Sequence, residues 1–414
     1  MPNREIWGSI DPIMPIPCPP YHLDELVTPD VIADPYPAYR RLRDRSPARY
    51  RYIPDGALAD CPDDMQAWAV MGYDDVRWVL QDHGTFSSQR PLAGRMMSRL
   101  VLLQDDPPRH TGFRRLVRGE FTSDRLAKLE PEIGRIATDL LDHLPGDEID
   151  FVSAFAAPLP IRVIARLIGL PESDHPTYRR WSETALSVLS VTDQRKSQDR
   201  ADMERFFGQM IAAARGGDRS GTLLDILANG RIDDAPLREW EVIGFCILLL
   251  VAGSETTTNL LGNMFALLAR RPDLWDRLRQ HRTLVTPFIA EALRYESPLQ
   301  RLSRTATRDV EIGSARISSG DTVVAFIGAA NRDPAKFSDP DRFELDRPQK
   351  EPLAFGSGIH YCLGAALARM EAAVALNALL DRYSGVEAGP GRTRRQTSKL
   401  LVLGYESLAL NFSP

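Results

Sequence analysis

The most apolar run in the chain is VIGFCILLLVA, residues 242–252, which ends at Gly-Ser-Glu. A membrane span needs about 20 apolar residues, so a run about half as long predicts a buried core helix, extending over roughly 235–269. Elsewhere the pattern changes period. PYPAYRRLRDR, residues 35–45, predicts a helix opened by proline. ARYRYI and AWAVM alternate in the manner of two strands of a hairpin. The loop between them, 54–66, is long and acidic at Asp55, Asp60, Asp63 and Asp64. A largely helical region follows over 105–300, broken by proline and glycine. VEIGSARI and TVVAFI predict short strands. The stretch 331–362 is rich in loops, a helix is expected over 363–382, and LLVLGYESLALNF reads as terminal strand material. The whole is mainly α with small β sheets, without internal repeat or low-complexity linker.

With 414 residues, the chain exceeds the ~250–300 at which one core usually stops growing, so two domains or one large lobed domain are both open. A net charge of −5 gives no argument for nucleic acid. Only five of the 51 basic residues are lysines. Residues 1–34, proline-rich at their start, form an expected surface arm, with a single domain over 35–414. The opening MPNREIWGSIDPIMPIPCPP carries no apolar core of signal-peptide length, which points to the cytoplasm and away from a membrane. Cys18, Cys61, Cys246 and Cys362 lie far apart, and no paired zinc-ligand spacing occurs.

Four features remain. In LLLVAGSETTTNLLGN, a glycine that costs ~1 kcal/mol relative to alanine and a run of mediocre helix formers sit between apolar segments. Such conflict between local preference and element tends to mark functional or strained sites; a solvated turn is the alternative. Glu291 and Arg294, three apart, share one helical face, most commonly as a surface salt bridge, and Arg342 beyond a proline-bounded turn could join them in a buried network. His110 and Arg114 share a face just after a Pro-Pro helix start, where two cations repel unless an anion lies between them and a partner; an exposed basic helix is the more common reading of such a stretch alone. Finally, FGSGIHYCLG, residues 355–364, places one thiol among Gly356, Gly358 and Gly364 at a helix entrance. The glycines permit positive φ or close approach to a flat object, and the helix dipole stabilises an anion, a setting that suits a soft metal ligand. A core cysteine, a nucleophile or half a disulfide are the competing readings.

The pattern Phe355–x–x–Gly358–x–His360–x–Cys362–x–Gly364 resembles the haem-binding loop of the cytochrome P450 family. The other features resemble that family's remaining marks in order, over about 35–410. The resemblance implies a triangular α-rich lobe and a smaller β-rich lobe enclosing haem b. It implies Cys362 as the axial iron ligand and His110, Arg114, Arg304 and His360 as partners of the propionates. Phe355, Gly358, Ala252 and Gly253 would complete the cofactor site, the last two leaving room for O2. Glu291, Arg294 and Arg342 would hold the fold. Thr256 would supply the hydroxyl that steadies activated oxygen, and Glu255 would relay protons.

The same resemblance implies a monooxygenase that oxidises a small to medium apolar substrate. A separate ferredoxin or flavodoxin, with its NAD(P)H-dependent reductase, would feed a monomeric enzyme. Arg109, Arg115, Arg118 and Arg369 could form a basic docking rim near Cys362; ordinary solvated arginines are the alternative. By position, Met96, Met97, Leu248, Leu299, Gln300 and Leu401 are candidate substrate contacts, Gln300 being the polar one. A peroxide-driven peroxygenase and a haem-thiolate sensor are disfavoured because Glu255 and Thr256 are both present. A cysteine hydrolase using Cys362 and His360 is disfavoured by their poor placement for such a pairing.

Overall fold

The computed structural model describes residues 24–51, 66–89, 101–186, 194–217, 221–348 and 351–414. The helices are α1 (Pro29–Ala33), α2 (Tyr36–Leu42), α3 (Tyr73–Gln81), α4 (Arg109–Val117), α5 (Ser123–Asp142), α6 (Pro158–Ile168) and α7 (His175–Leu186). They continue with α8 (Gln194–Arg215), α9 (Leu223–Ala228), α10 (Glu239–Arg270), α11 (Pro272–Gln280), α12 (Val285–Tyr295), α13 (Ile327–Ala330) and α14 (Ala365–Arg382). The first strands are β1 (Ala48–Arg51), β2 (Gln66–Val70), β3 (Phe86–Ser87), β4 (Glu148–Asp150), β5 (Arg231–Ile232), β6 (Ala235–Pro236) and β7 (Leu302–Ala306). The remainder are β8 (Val310–Ile312), β9 (Ala315–Ile317), β10 (Thr322–Ala325), β11 (Gly385–Ala388), β12 (Arg394–Arg395), β13 (Tyr405–Ser407) and β14 (Ala409–Ser413).

The apolar run at 242–252 lies in α10, a helix of 32 residues. By length and composition α10 could cross a membrane, yet its apolar positions are spent inside the protein. Val242, Phe245, Leu250, Leu261 and Phe265 are all essentially buried, packed among α6, α7, α8, α12 and α14. These helices share one large apolar cluster, which also takes in Leu367, Leu376 and Leu379 of α14.

The expected hairpin forms as read: β1 and β2 pair antiparallel, Ala48 opposite Ala69. The hairpin joins a five-stranded sheet of order β1-β2-β10-β7-β3, with β2 and β10 parallel. Alternation along β2 buries Ala67 and Ala69, while Trp68 turns outward and donates its indole N–H to Asp321 at 2.8 Å. Two smaller clusters cover the faces of this sheet, one of them including α3. A three-stranded sheet, β11-β14-β4, closes the chain's end against the helical group.

Most of the acidic loop at 54–66 and residues 1–23 of the expected arm lie outside the described residues. From Asp24 onward the arm is not loose. Leu26 and Ile32 are buried, and Leu26 joins the apolar cluster of α2 and β1.

Candidate functional site

Cys362 sits two residues before the N-cap Gly364 of α14. The backbone reaches it through two left-handed glycines, Gly356 (φ 72°) and Gly358 (φ 71°). At Gly358 space also matters: a Cβ would stand 2.7 Å from the Leu80 carbonyl oxygen and 2.8 Å from Gln81 Cα. The loop is thus pressed onto the end of α3, a contact a side chain would forbid. The Cys362 amide donates to the Phe355 carbonyl at 2.9 Å, closing the loop on itself. The Arg369 guanidinium lies 4.3 Å from the centre of the Phe355 ring.

The Cys362 side chain is exposed, yet protein surrounds it closely enough that burial pushes its thiol up. Exposure and desolvation together describe a group at the wall of a recess. The Gly364 amide, Arg114 and Arg369 all act in the opposite direction, favouring the thiolate.

Beside the cysteine, four groups able to carry positive charge converge. His110 is 2% exposed, and its Nε2 has no hydrogen-bond partner. Its ring lies 4.4 Å from that of His360. Arg114 donates to the Tyr361 carbonyl at 2.8 Å. Burial drives His360 down to about 3, helped by Arg304, His110 and Arg114. His360 Nε2 meets the Ser88 hydroxyl at 2.9 Å. Ser88, held by its backbone N–H on Asp106, carries no mark in the sequence that would have flagged it.

A cluster of groups able to carry positive charge, with Arg304 and His110 buried and a ring nitrogen left unpartnered, calls for an anion. Two carboxylates on a flat macrocycle beside a thiolate answer that need. The residues present therefore fit a haem: Cys362 as the soft ligand, and His110, Arg114, Arg304 and His360 as hosts for its propionates.

Across α10, the hydroxyls that looked unhelical are absorbed by the helix itself. Thr256 Oγ1 donates to the Ala252 carbonyl at 2.7 Å and Thr258 Oγ1 to the Ser254 carbonyl at 2.8 Å. Ser254 bonds back to Leu250 and meets the Ser182 hydroxyl of α7 at 3.0 Å. Such back-bonding keeps polar side chains tolerable in a buried helix. Ala252 is exposed although its helix is buried, so open space lies against that face. Gly253 was expected to help make that space, and it does not. A Cβ there would stand 2.5 Å from Cδ1 of Ile164, so Gly253 serves the approach of α6.

Glu255, the residue expected to relay protons, is half-buried in α10. Its Oε1 pairs with the ammonium of Lys399, while its Oε2 is buried without a partner. One turn on, Asn259 has a buried, unpartnered Nδ2. Lys399 was missed, although one lysine among five in an arginine-rich chain was a visible signal.

Three further expectations need correction or qualification. Glu291 pairs with Arg294 at 2.7 Å as expected, but the third arginine is Arg347, whose Nε reaches Glu291 Oε1 at 3.0 Å. Arg342 contributes its carbonyl, which accepts from Arg294 at 2.9 Å and Arg347 at 3.0 Å. Gln300 is not a free polar contact. Its amide is consumed in the core by Tyr39, Tyr36 and the Ser297 carbonyl. Arg109 is committed to Glu241, whereas Arg115, Arg118 and Arg369 are exposed. Leu248 is buried in α10; Leu299 and Leu401 are half-buried and lie near one another through the Leu299–Val402 bridge. Met96 and Met97 lie outside the described residues.

The family profile described as "Cytochrome P450" matches residues 193–410. The chain is 38% identical to cytochrome P450 109 of Bacillus spizizenii over 361 residues, 85% of each protein. It is also 38% identical to the cytochrome P450 monooxygenase PikC of Streptomyces venezuelae, over 87% of each. Its structure resembles that of CYP109E1 from Bacillus megaterium in complex with testosterone, with a TM-score of 0.81 at 32% identity, covering 93% of this chain and 99% of that one.

Proposed function

Because the chain belongs to the cytochrome P450 family and is a monooxygenase, we propose that it is fed electrons by a separate partner and oxidises a medium-sized apolar molecule. The net reaction is R–H + O2 + 2 e⁻ + 2 H⁺ → R–OH + H2O. Cys362 would hold the group, read as haem b, which would supply oxygen activation, and the thiolate would tune it by donating electron density.

This chain's residues do the rest. Arg114 and the Gly364 amide favour the Cys362 thiolate against the burial that pushes the thiol up. His110, Arg114, Arg304 and His360 fix the cofactor's carboxylates. Ala252 leaves one face of α10 open, and the Thr256 hydroxyl lies one turn further along that helix. Glu255, with Oε2 buried and unpartnered, holds and passes a proton at that oxygen. Leu248, Leu299 and Leu401 are the apolar contacts proposed for substrate. Arg115, Arg118 and Arg369 offer a basic rim for a small acidic ferredoxin or a flavodoxin.

For the substrate, relatives supply the size class: one solved neighbour is in complex with testosterone and another, a mutant of P450 EryK, with erythromycin B. A rigid polycyclic or macrocyclic skeleton is the proposed class. The convergence of His110, Arg114, Arg304 and His360 beside Cys362, with a buried His110 nitrogen left over, is the observation that carries the reading. The carbon-monoxide difference spectrum of the reduced protein tests it. Wild-type protein is expected to show the band of a thiolate-ligated haem, and Cys362→His to lose it. A colourless wild type overturns it. Spectral titration with steroids and macrolides then tests the substrate class.

A further inference from the structure

We propose that Lys399 is the positioning residue of the proton relay, holding Glu255 by one oxygen so that the other stays free to carry protons. The inference rests on the relay role read for Glu255 above.

Lys399 arrives from far along the chain, in the loop ahead of β13, and its ammonium meets Glu255 Oε1. The lysine side chain is 41% exposed, but the backbone that carries it is fixed. The Lys399 N–H donates to Gln396 Oε1 at 2.8 Å, and Gln396 Nε2 donates back to the Lys399 carbonyl at 2.8 Å. The same amide also bonds the Val402 carbonyl, and Gln396 is 5% exposed. A buried amide thus clamps the turn that carries the lysine. The loop is further stapled to the body of the protein by Gln300 N–H on the Leu401 carbonyl at 2.8 Å.

The choice of cation matters chemically. An arginine presents a fork that matches both oxygens of a carboxylate, whereas a lysine is a single point charge. Of the chain's 51 basic residues, all but five are arginine, yet a lysine stands here. Its single contact leaves Glu255 Oε2 unpartnered and buried. One turn along α10, the unpartnered donor Asn259 Nδ2 is on the same helical face. Two orphans of opposite kind, an acceptor and a donor, thus lie one turn apart on α10. Asn259 cannot retreat towards the C-terminal segment, because Gly404 is packed against its amide where no Cβ would fit. Lys399 thus fixes one oxygen of the carboxylate and leaves the other unpartnered.

The test uses the haem-loaded enzyme with its electron supply and a substrate identified by spectral titration, in Lys399→Ala, Lys399→Arg, Glu255→Gln and the double variant Lys399→Ala/Glu255→Gln. Lys399→Ala is expected to lower product per electron about tenfold, with the balance released as hydrogen peroxide, and to raise the solvent deuterium isotope effect. Lys399→Arg is expected to fail similarly, because its fork occupies both oxygens; a merely structural ion pair would be rescued by arginine. The double variant should be no worse than Glu255→Gln alone, as expected for residues acting in one path. A readout apart from turnover is the infrared stretch of carbon monoxide bound to the reduced protein, expected to split in Lys399→Ala as Glu255 samples two positions. If Glu255→Gln uncouples electrons while Lys399→Ala matches wild type, the inference falls and the relay stands. If Glu255→Gln itself stays coupled, the relay reading falls and the inference with it.

Discussion

At Gly253 the approach of α6 decides what side chain α10 can carry. The missing side chain is filled by Ile164 rather than by a ligand, so the position answers to helix packing. Gly253→Ala should therefore destabilise the fold. Overpacking costs ~1–3 kcal/mol, against which the helix gains ~1 kcal/mol from replacing glycine. A net loss in denaturant midpoint, relieved when Ile164 is shortened to alanine, is the expected result. Thr256→Ala belongs to the opposite class. Its hydroxyl is bonded to its own helix, so the variant should fold, bind haem and bind substrate, but return electrons as hydrogen peroxide instead of product. Equal coupling in wild type and variant would remove Thr256 from the mechanism. What could be read at this scale was charge and chemistry: the thiol, the glycines around it, and histidines and arginines with no visible counter-charge. What could not be read was occupancy. Nothing in the order of residues around Gln300 announces that two tyrosine hydroxyls and a carbonyl consume its amide.

The Glu291 network shows the same division among elements. Glu291 and Arg294 lie on α12 at a spacing that forces them together, and they were legible for that reason. The third arginine comes from a loop, where spacing gives no direction. Arg342 and Arg347 lie five positions apart around one turn, and only the folded turn shows which side chain points inward. Arg347 is 7% exposed and bonds Glu291, Ser338 and the Asp339 and Arg342 carbonyls. Breaking a buried pair by removing one partner costs ~3–5 kcal/mol. Arg347→Ala should lose stability on that scale or fail to accumulate, while Arg342→Ala, which keeps its carbonyl, should stay within ~1 kcal/mol of wild type. Urea denaturation of the two variants side by side decides between the arginines. The strands and long helices were recovered because their periods are set locally. The ends were not, and the expected start of α14 at 363 moved to Ala365 because Gly364 serves as its cap.

On the scale of the whole molecule, one buried group links stability to pH. Glu371 of α14 is 1% exposed, its Oε2 has no partner, and burial pushes its carboxyl up from 4.5 to about 8. Below pH 4.5 folded and unfolded chains both hold this proton. Between 4.5 and about 8 the folded chain keeps a proton that the unfolded chain has released. Unfolding free energy from this group therefore falls as pH rises across that window, by ~1.4 kcal/mol per unit, and levels off above it. Glu371→Gln should flatten the dependence between pH 5.5 and 8 and raise the melting temperature most at the alkaline end. Unchanged pH dependence in the variant would show that Glu371 is ionised in the folded protein.

The close contact of Gly358 with the end of α3 has a consequence for cooperativity. Leu353, just before the cysteine loop, belongs to the apolar cluster beneath the five-stranded sheet. Ala354 and Leu367, on either side of the loop, belong to the cluster of the helices. Within fifteen residues the chain is anchored in both cores, with Cys362 in between. Neither core can melt without pulling on the other through this splice. Heating should therefore give one calorimetric peak whose enthalpy matches the van't Hoff value, as for a single unfolding unit. Two resolved peaks would mean that the sheet and the helices come apart independently. A chain built this way has no half-folded form in which the thiol is already set in place.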